Sequence, residues 1–278
     1  MSHSPVPDVF EDQDQDLSHK AKRRRQRKAA KRASDSHRPP RLDARSASQS
    51  TLLEHLQEGR SSFAVGPAGT GKTYLAARVA AQRLEAGHID KIVLSRVTVS
   101  RKRHEQGFLP GKLEQKMAPW LVPVMEALKA ELGGKLVEKM RLDGRIEVVS
   151  FEHMRGRTFD RCFVILDEAQ NADFADLRLF LTRVGEESQV VCTGDLDQVD
   201  IPDSGLFEVI EIAIEDDVPM EVVIFKHDEV VRSEFASAWV KAFKSRDQRT
   251  GRDHTQELID RVSTEAVQMP EFLTGEAV

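Results

Sequence analysis

The sequence predicts a single α/β domain, a parallel sheet flanked by helices, and three observations predict it. Short β-branched runs recur along the chain and alternate with longer stretches of helical composition. Each run is apolar almost throughout, the pattern of strands buried on both faces. Polar ends bound the domain. Residues 1–45 are rich in Pro, Ser and Arg without periodic apolar positions, so a disordered arm is expected there. The stretch 246–278 is polar again, with room for one helix around residues 257–267. The expected domain therefore spans 46–245, with no internal repeat and no second domain.

Taken in order, SSFAV (61–65) is a short apolar run followed by a Gly-rich turn, and TYLAARVAAQRLEAG (73–87) is an Ala-rich helix ending at Gly87. KIVLS (91–95), IEVVS (146–150), CFVIL (162–166), QVVCT (189–193) and MEVVIF (220–225) are further strands. Helices are expected at 113–129, 174–184, 207–214 and 230–243, between or after them.

Composition narrows the class. Apolar residues make up 40% and charged residues 31%, a globular mixture, and no apolar run approaches the roughly 20 residues needed to span a bilayer. The acidic start MSHSPVPDVFEDQDQDL has no hydrophobic stretch, so no secretory signal is expected. Cys162 and Cys192 lie in separate strand-like runs and read as small core residues rather than a disulfide, which fits a reducing cytoplasm. The net charge of −5 hides an asymmetry: residues 1–45 hold 12 Lys/Arg against 7 Asp/Glu, a balance of +5, leaving −10 for the rest. The basic part, KAKRRRQRKAAKR (20–32), reads either as a solvated tail or as a tether to the phosphate backbones of a nucleic acid.

The turn after the first strand carries the chemistry. Gly66, Pro67, Ala68, Gly69, Thr70, Gly71, Lys72 and Thr73 match G-x-x-x-x-G-K-[ST], the P-loop. Its glycines let backbone N–H groups wrap the β- and γ-phosphates of a bound nucleotide such as ATP, and the following helix aims its positive end at the same anion. Lys72 supplies a point charge to the phosphates, and the Thr73 hydroxyl ligates Mg²⁺.

CFVILDEAQN (162–171) delivers Asp167 and Glu168 at the carboxyl end of a strand, where open α/β sheets bind ligands. Asp167 is the expected Mg²⁺ holder and Glu168 the base that polarises the attacking water. By itself such a pair could also cap a helix. VVCTGDLDQVDIP (190–202) repeats the strand-then-polar-loop arrangement, putting Asp195 and Gln198 beside the γ-phosphate, where an uncharged amide can sense it or orient water. Arginines able to offset charge in the transition state are Arg155, Arg157, Arg183 and Arg232.

Together GPAGTGKTYLA (66–76), GFLPGKLEQKMAPWLVPV (107–124), MRGRTF (154–159), ILDEAQNA (165–172), LTRVG (181–185), TGDLDQVDIP (193–202), SGL (204–206) and HDEVVRSEF (227–235) resemble the PhoH-like ATPases, the phosphate-starvation-inducible family. The resemblance runs from about Gln49 to Arg232. It implies a RecA-like core similar to the first motor domain of superfamily-one helicases. It further implies that Gln49 reads the adenine edge, that Gln198 links γ-phosphate to bound nucleic acid, and that Arg232 contacts the nucleotide. It implies ATPase activity, ring-shaped homo-oligomers and, in fused versions, RNA-unwinding nucleases. Two stretches depart from the family pattern. SRVTVSRKRHEQGFLPG (95–111) has Val97 for a usual proline, one extra residue before Gly107, and Arg101, Lys102 and Arg103 in a usually more acidic stretch. After VVR, Ser233-Glu234 replaces the usual His-Pro. No stretch outside the core supplies the clustered carboxylates of a nuclease.

Two principal functions remain open on the sequence: an ATP-driven motor on RNA or single-stranded DNA, and a slow nucleotide-dependent switch that needs no polymer. A metabolite kinase is a distant third. With one motor domain, unwinding would require an oligomer in which Arg155, Arg157 or Arg183 acts across an interface.

Overall fold

The computed structural model describes residues 37–97, 113–231 and 234–250. Its centre is one six-stranded sheet: β1 (Ser61–Val65), β2 (Lys91–Arg96), β3 (Ile146–Val148), β4 (Cys162–Asp167), β5 (Gln189–Gly194) and β6 (Met220–Ile224). The strands lie in the order β3-β2-β4-β5-β1-β6, and every pairing is parallel. The helices are α1 (Ala47–Glu58), α2 (Lys72–Ala86), α3 (Leu113–Leu132), α4 (Gly134–Leu142), α5 (Phe174–Leu181), α6 (Leu206–Glu215) and α7 (Glu234–Thr250). The α/β class with a parallel sheet flanked by helices is the class expected from the sequence, and the P-loop stands between β1 and α2.

Strand periodicity builds the two cores. Successive residues face opposite sides of a sheet, so Ala64, Ile92, Leu94, Phe163, Ile165 and Val191 join one core under α1–α4. Their neighbours Phe63, Val65, Val93, Val164, Leu166 and Cys192 join the other, under α5 and α6. With both faces covered, β4 and β5 are buried along their whole length, which is why their sequences read as unbroken apolar runs. Both cysteines are free and buried. Burial pushes the Cys162 thiol up to about 11 and Cys192 higher still, so both remain protonated core residues.

Several boundaries differ from expectation, each for a local reason. Helix α1 is an addition. Ser46 caps it by accepting the Gln49 N–H, Gly59 ends it in the left-handed region, and Leu52, Leu53 and Leu56 bury its inner face. Helix α4 is a second addition, short but anchored by Leu136, Val137 and Met140. Helix α5 stops at Leu181 instead of continuing to 184, because Arg183 and Val184 are drawn into a ladder with Phe159. Helix α7 starts at Glu234 instead of 230: residues 227–229 form a 3₁₀ turn, and Val231 donates its N–H to Gly69 O of the P-loop. Strand β3 ends at Val148, two residues early, since Ser150 opens a 3₁₀ turn over Phe151–His153.

Residues 37–45 form no helix or strand, yet they touch the domain. His37 Nε2 lies 3.0 Å from Ala130 O, and Arg78 donates to Pro40 O at 2.6 Å. The basic run 20–32, the cationic residues Arg101, Lys102 and Arg103, and the helix expected around 257–267 lie outside the described residues. No described helix is long and apolar enough to cross a membrane.

Candidate nucleotide and metal site

Parallel pairing in register places the carboxyl ends of four strands along one edge. Arg96 stands opposite Asp167, and Val65, just before the P-loop, stands opposite Gly194. A cleft of about 330 Å³ opens there, lined by P-loop residues together with Arg96, Asp167, Glu168, Asp195 and Gln198. Most of the residues singled out in the sequence therefore converge.

The P-loop conformation demands its glycines. Gly66 has φ 134°, and a Cβ there would come within 2.2 Å of Phe225 O, so no larger residue fits. Gly71, with φ 90°, is the N-cap of α2, and its left-handed backbone lets the chain turn directly into the helix. Lys72 is buried and curls over the loop, donating to Gly66 O at 2.6 Å and Pro67 O at 2.8 Å. The Thr70 hydroxyl closes the loop by donating to Pro67 O at 2.9 Å. The ammonium is thus held among the loop's own oxygens, at the wall of the cleft.

Thr73 and Asp167, the pair expected to hold Mg²⁺, meet at the cleft. The Thr73 hydroxyl donates to Asp167 Oδ1 at 2.7 Å, and the Thr193 hydroxyl donates to the same oxygen at 2.7 Å. Hydroxyl and carboxylate are hard oxygen donors, and Mg²⁺ is usually held by one or two such groups plus substrate phosphates. Among the described residues no group of three or more His, Cys, Asp or Glu is placed to hold a metal ion.

Glu168 has φ 58°, a left-handed conformation that is unfavourable for a residue with a side chain and that concentrates at functional sites. It aims the carboxylate into the cleft. One oxygen, Oε2, accepts from Gln170 Nε2 at 2.7 Å. Gln170 is buried and also accepts the Asp195 N–H at 3.1 Å, so one amide ties the Asp-Glu turn to the loop after β5. Arg96 spans the acidic pair, donating to Asp167 Oδ2 at 2.7 Å and to Glu168 Oε1 at 2.9 Å.

Asp195 is buried and accepts the N–H groups of Ala68 at 3.1 Å and Asp197 at 3.1 Å. Burial pushes its carboxyl up to about 6, against the opposing pull of Lys72 and those two N–H groups. Gln198 is exposed at the rim of the cleft, and its backbone N–H holds Asp195 O at 3.1 Å.

Other residues fall elsewhere. Gln49 is buried behind the loop, donating to Thr70 O at 2.9 Å and accepting the Arg45 N–H at 2.8 Å; its amide thus ties the P-loop to the segment that leads into α1. A second recess of about 480 Å³ lies between residues 45–48 and 226–231, abutting the loop where Val231 holds Gly69 O. Arg157 is engaged bidentately by Glu147 at 2.9 Å and 2.9 Å. Arg183 precedes β5 at the amino end of the sheet, opposite the edge that carries the cleft. Arg155 is exposed and does not line the cleft. Arg232 lies outside the described residues.

Arg96, Gln170 and Thr193 were not anticipated. A basic residue ending a strand beside the Asp-Glu strand, and polar residues flanking both acidic loops, were the available signals, but their use depends on which strands are neighbours.

A sequence model of the PhoH-like protein family matches residues 41–244. The "PhoH-like protein" of Bacillus subtilis (strain 168) is 48% identical over 140 residues, 50% of this chain and 44% of that one. The "PhoH-like protein" of Mycobacterium tuberculosis (strain ATCC 25618 / H37Rv) is 40% identical over 184 residues, 65% of this chain and 52% of that one. The "Protein PhoH" of Escherichia coli (strain K12) is 37% identical over 205 residues, 72% of this chain and 57% of that one. The chain spans about half the length of these curated relatives. Likeness to the DNA-bound DUF1998 helicase MrfA, with a TM-score of 0.38 at 16% identity over 64% of this chain and 25% of that one, is too slight to bear on function.

Proposed function

Because this chain belongs to the PhoH-like protein family, we propose that it is an Mg²⁺-dependent ATPase whose hydrolysis drives remodelling of RNA or single-stranded DNA. The observation that carries the reading is the convergence of Lys72, Thr73, Asp167, Glu168 and Gln198 on one cleft at the carboxyl edge of the sheet. The catalytic unit is taken as residues 46–245, working in the cytoplasm as a homo-oligomeric ring between a charged arm (1–45) and a polar tail (246–278).

In this reading the N–H groups of residues 66–73 and the Lys72 ammonium bind the β- and γ-phosphates. Thr73 and Asp167 hold Mg²⁺, which bridges phosphate oxygens and offsets their charge. Glu168, aimed by its left-handed backbone and by Gln170, accepts a proton from the attacking water. Gln198 at the rim responds to the γ-phosphate. The recess between residues 45–48 and 226–231 adjoins the loop and suits the nucleoside, with Gln49 acting indirectly through Thr70 and with Arg232 next in sequence to its wall. The basic run 20–32 supports a polyanionic partner.

The test is steady-state ATP hydrolysis by wild type, Lys72→Ala and Glu168→Gln, each with and without single-stranded RNA and DNA. Lys72→Ala should weaken nucleotide binding and abolish turnover. Glu168→Gln should keep nucleotide and lose turnover by roughly 10²-fold or more, the usual weight of a general base. Polymer stimulation that disappears with residues 1–45 supports the motor. Glu168-dependent hydrolysis indifferent to both polymers replaces it with the switch, and unchanged turnover in Glu168→Gln removes the base assignment.

A further inference from the structure

Arg96 ends β2 directly opposite Asp167, and the next residue, Val97, donates its N–H to Asp167 O at 3.2 Å. The backbone that carries the guanidinium is therefore fixed by the sheet. Its side chain is 18% exposed and lines the cleft with Lys72 and Gln198. From there it reaches Asp167 and Glu168 with separate nitrogens.

Both carboxylates are engaged in this arrangement. Asp167 takes two hydroxyls on Oδ1 and the guanidinium on Oδ2. Glu168 takes Gln170 on one oxygen and the guanidinium on the other. The guanidinium occupies one oxygen of each acidic side chain. A cation on Asp167 would moreover stand beside a second positive charge on the same group, an unfavourable pairing. The groups that the ATPase reading needs for metal and water are the ones Arg96 engages. Arg96 can exchange these partners for another anion within reach, and a planar fork of donors suits phosphoryl oxygens.

We propose that Arg96 reads the γ-phosphate: it clasps Asp167 and Glu168, and on entry of Mg·ATP its two donors transfer to γ-phosphoryl oxygens, which releases the carboxylate oxygens of Asp167 and Glu168 to the metal and to water. The proposal rests on the ATPase reading. ADP, lacking the γ-phosphoryl group, leaves the clasp closed. The exchange makes the acidic pair responsive to the nucleotide's third phosphate.

The test is equilibrium binding of ADP and of a non-hydrolysable ATP analogue with a β,γ-imido bridge, each with Mg²⁺. The full chain is used as wild type, Arg96→Gln, Arg96→Lys and Lys72→Ala, with unfolding midpoints recorded for each. A bidentate charged contact present only with the triphosphate should make Arg96→Gln lose about tenfold or more of its triphosphate affinity while ADP affinity changes little. Arg96→Lys, which keeps the charge but not the fork, should lie between. A triphosphate-to-ADP preference unchanged in both variants overturns the proposal and leaves a structural ion pair. Wild type that binds neither nucleotide, indistinguishable from Lys72→Ala, overturns the ATPase reading and the clasp with it. Wild type that binds both while the Arg96 variants keep its preference overturns the clasp alone.

Discussion

The buried carboxyl of Asp195 offers a test of the site that needs no nucleotide. Its pKa is pushed up to about 6 by burial, whereas an aspartate in an unfolded chain titrates near about 3.9. Between these values the folded chain binds more protons than the unfolded one, so stability falls as pH rises from about 4 to 6. The interval corresponds to about 3 kcal/mol. Asp195→Asn abolishes this ionisation, but its single oxygen must serve the Ala68 and Asp197 N–H groups that Asp195 receives on two separate oxygens. Losing one such bond costs about 1 kcal/mol. The two effects oppose each other, and their balance changes sign with pH. Below pH 4 the variant should be less stable by about 1 kcal/mol, and at pH 8 more stable by about 2 kcal/mol. Urea unfolding of both proteins in magnesium-free buffer from pH 4 to 8 measures the crossing. Comparing the pair cancels other titrating groups, including His55, whose pKa is lowered by burial. Parallel stability curves across this range would refute a strained, buried carboxyl at the heart of the site.

Other substitutions probe the frame around it. Gly66→Ala must accommodate a Cβ 2.2 Å from Phe225 O at a left-handed φ of 134°, so it should destabilise by about 2–4 kcal/mol and weaken nucleotide binding, read from urea midpoints and titration; wild-type values for both would contradict the loop geometry. Arg78 is buried on α2, donating to Glu131 at 2.5 Å, the Tyr74 hydroxyl at 2.6 Å and Pro40 O at 2.6 Å. Arg78→Met leaves Glu131 buried with Gln82 as its remaining partner among the described residues and should cost about 3–5 kcal/mol, whereas Arg78→Met with Glu131→Leu should recover most of that loss. Equal unfolding midpoints for the single and double variants would show that the stranded charge is not the cause.

Short-range signals are legible in one dimension. The strands announced themselves as apolar runs because burial on both faces leaves no polar alternation, and β4 and β5 are buried from end to end. The glycine spacing of residues 66–71 was legible because a closely wrapped loop tolerates little else, as Gly66 against Phe225 demonstrates. Helix α1 was legible in principle, with Ser46 as its cap and Leu52, Leu53 and Leu56 on one side. It was missed because the polar, basic composition before it masked a short amphipathic segment.

What the chain by itself determined is the α/β class, the phosphate-binding turn and the acidic pair that follows β4, since each depends on neighbours a few residues apart. Tertiary structure alone decided which side chains share the site. Strand order puts β2 beside β4, so Arg96 meets Asp167 and Glu168 across a separation of 71 and 72 residues. It puts β5 between β4 and β1, which lets Gln170 brace Glu168 against the Asp195 loop and lets Asp195 hold Ala68. The physical reason is that hydrogen bonding and desolvation act through space at a few ångströms, and only the closed sheet brings these groups within that range.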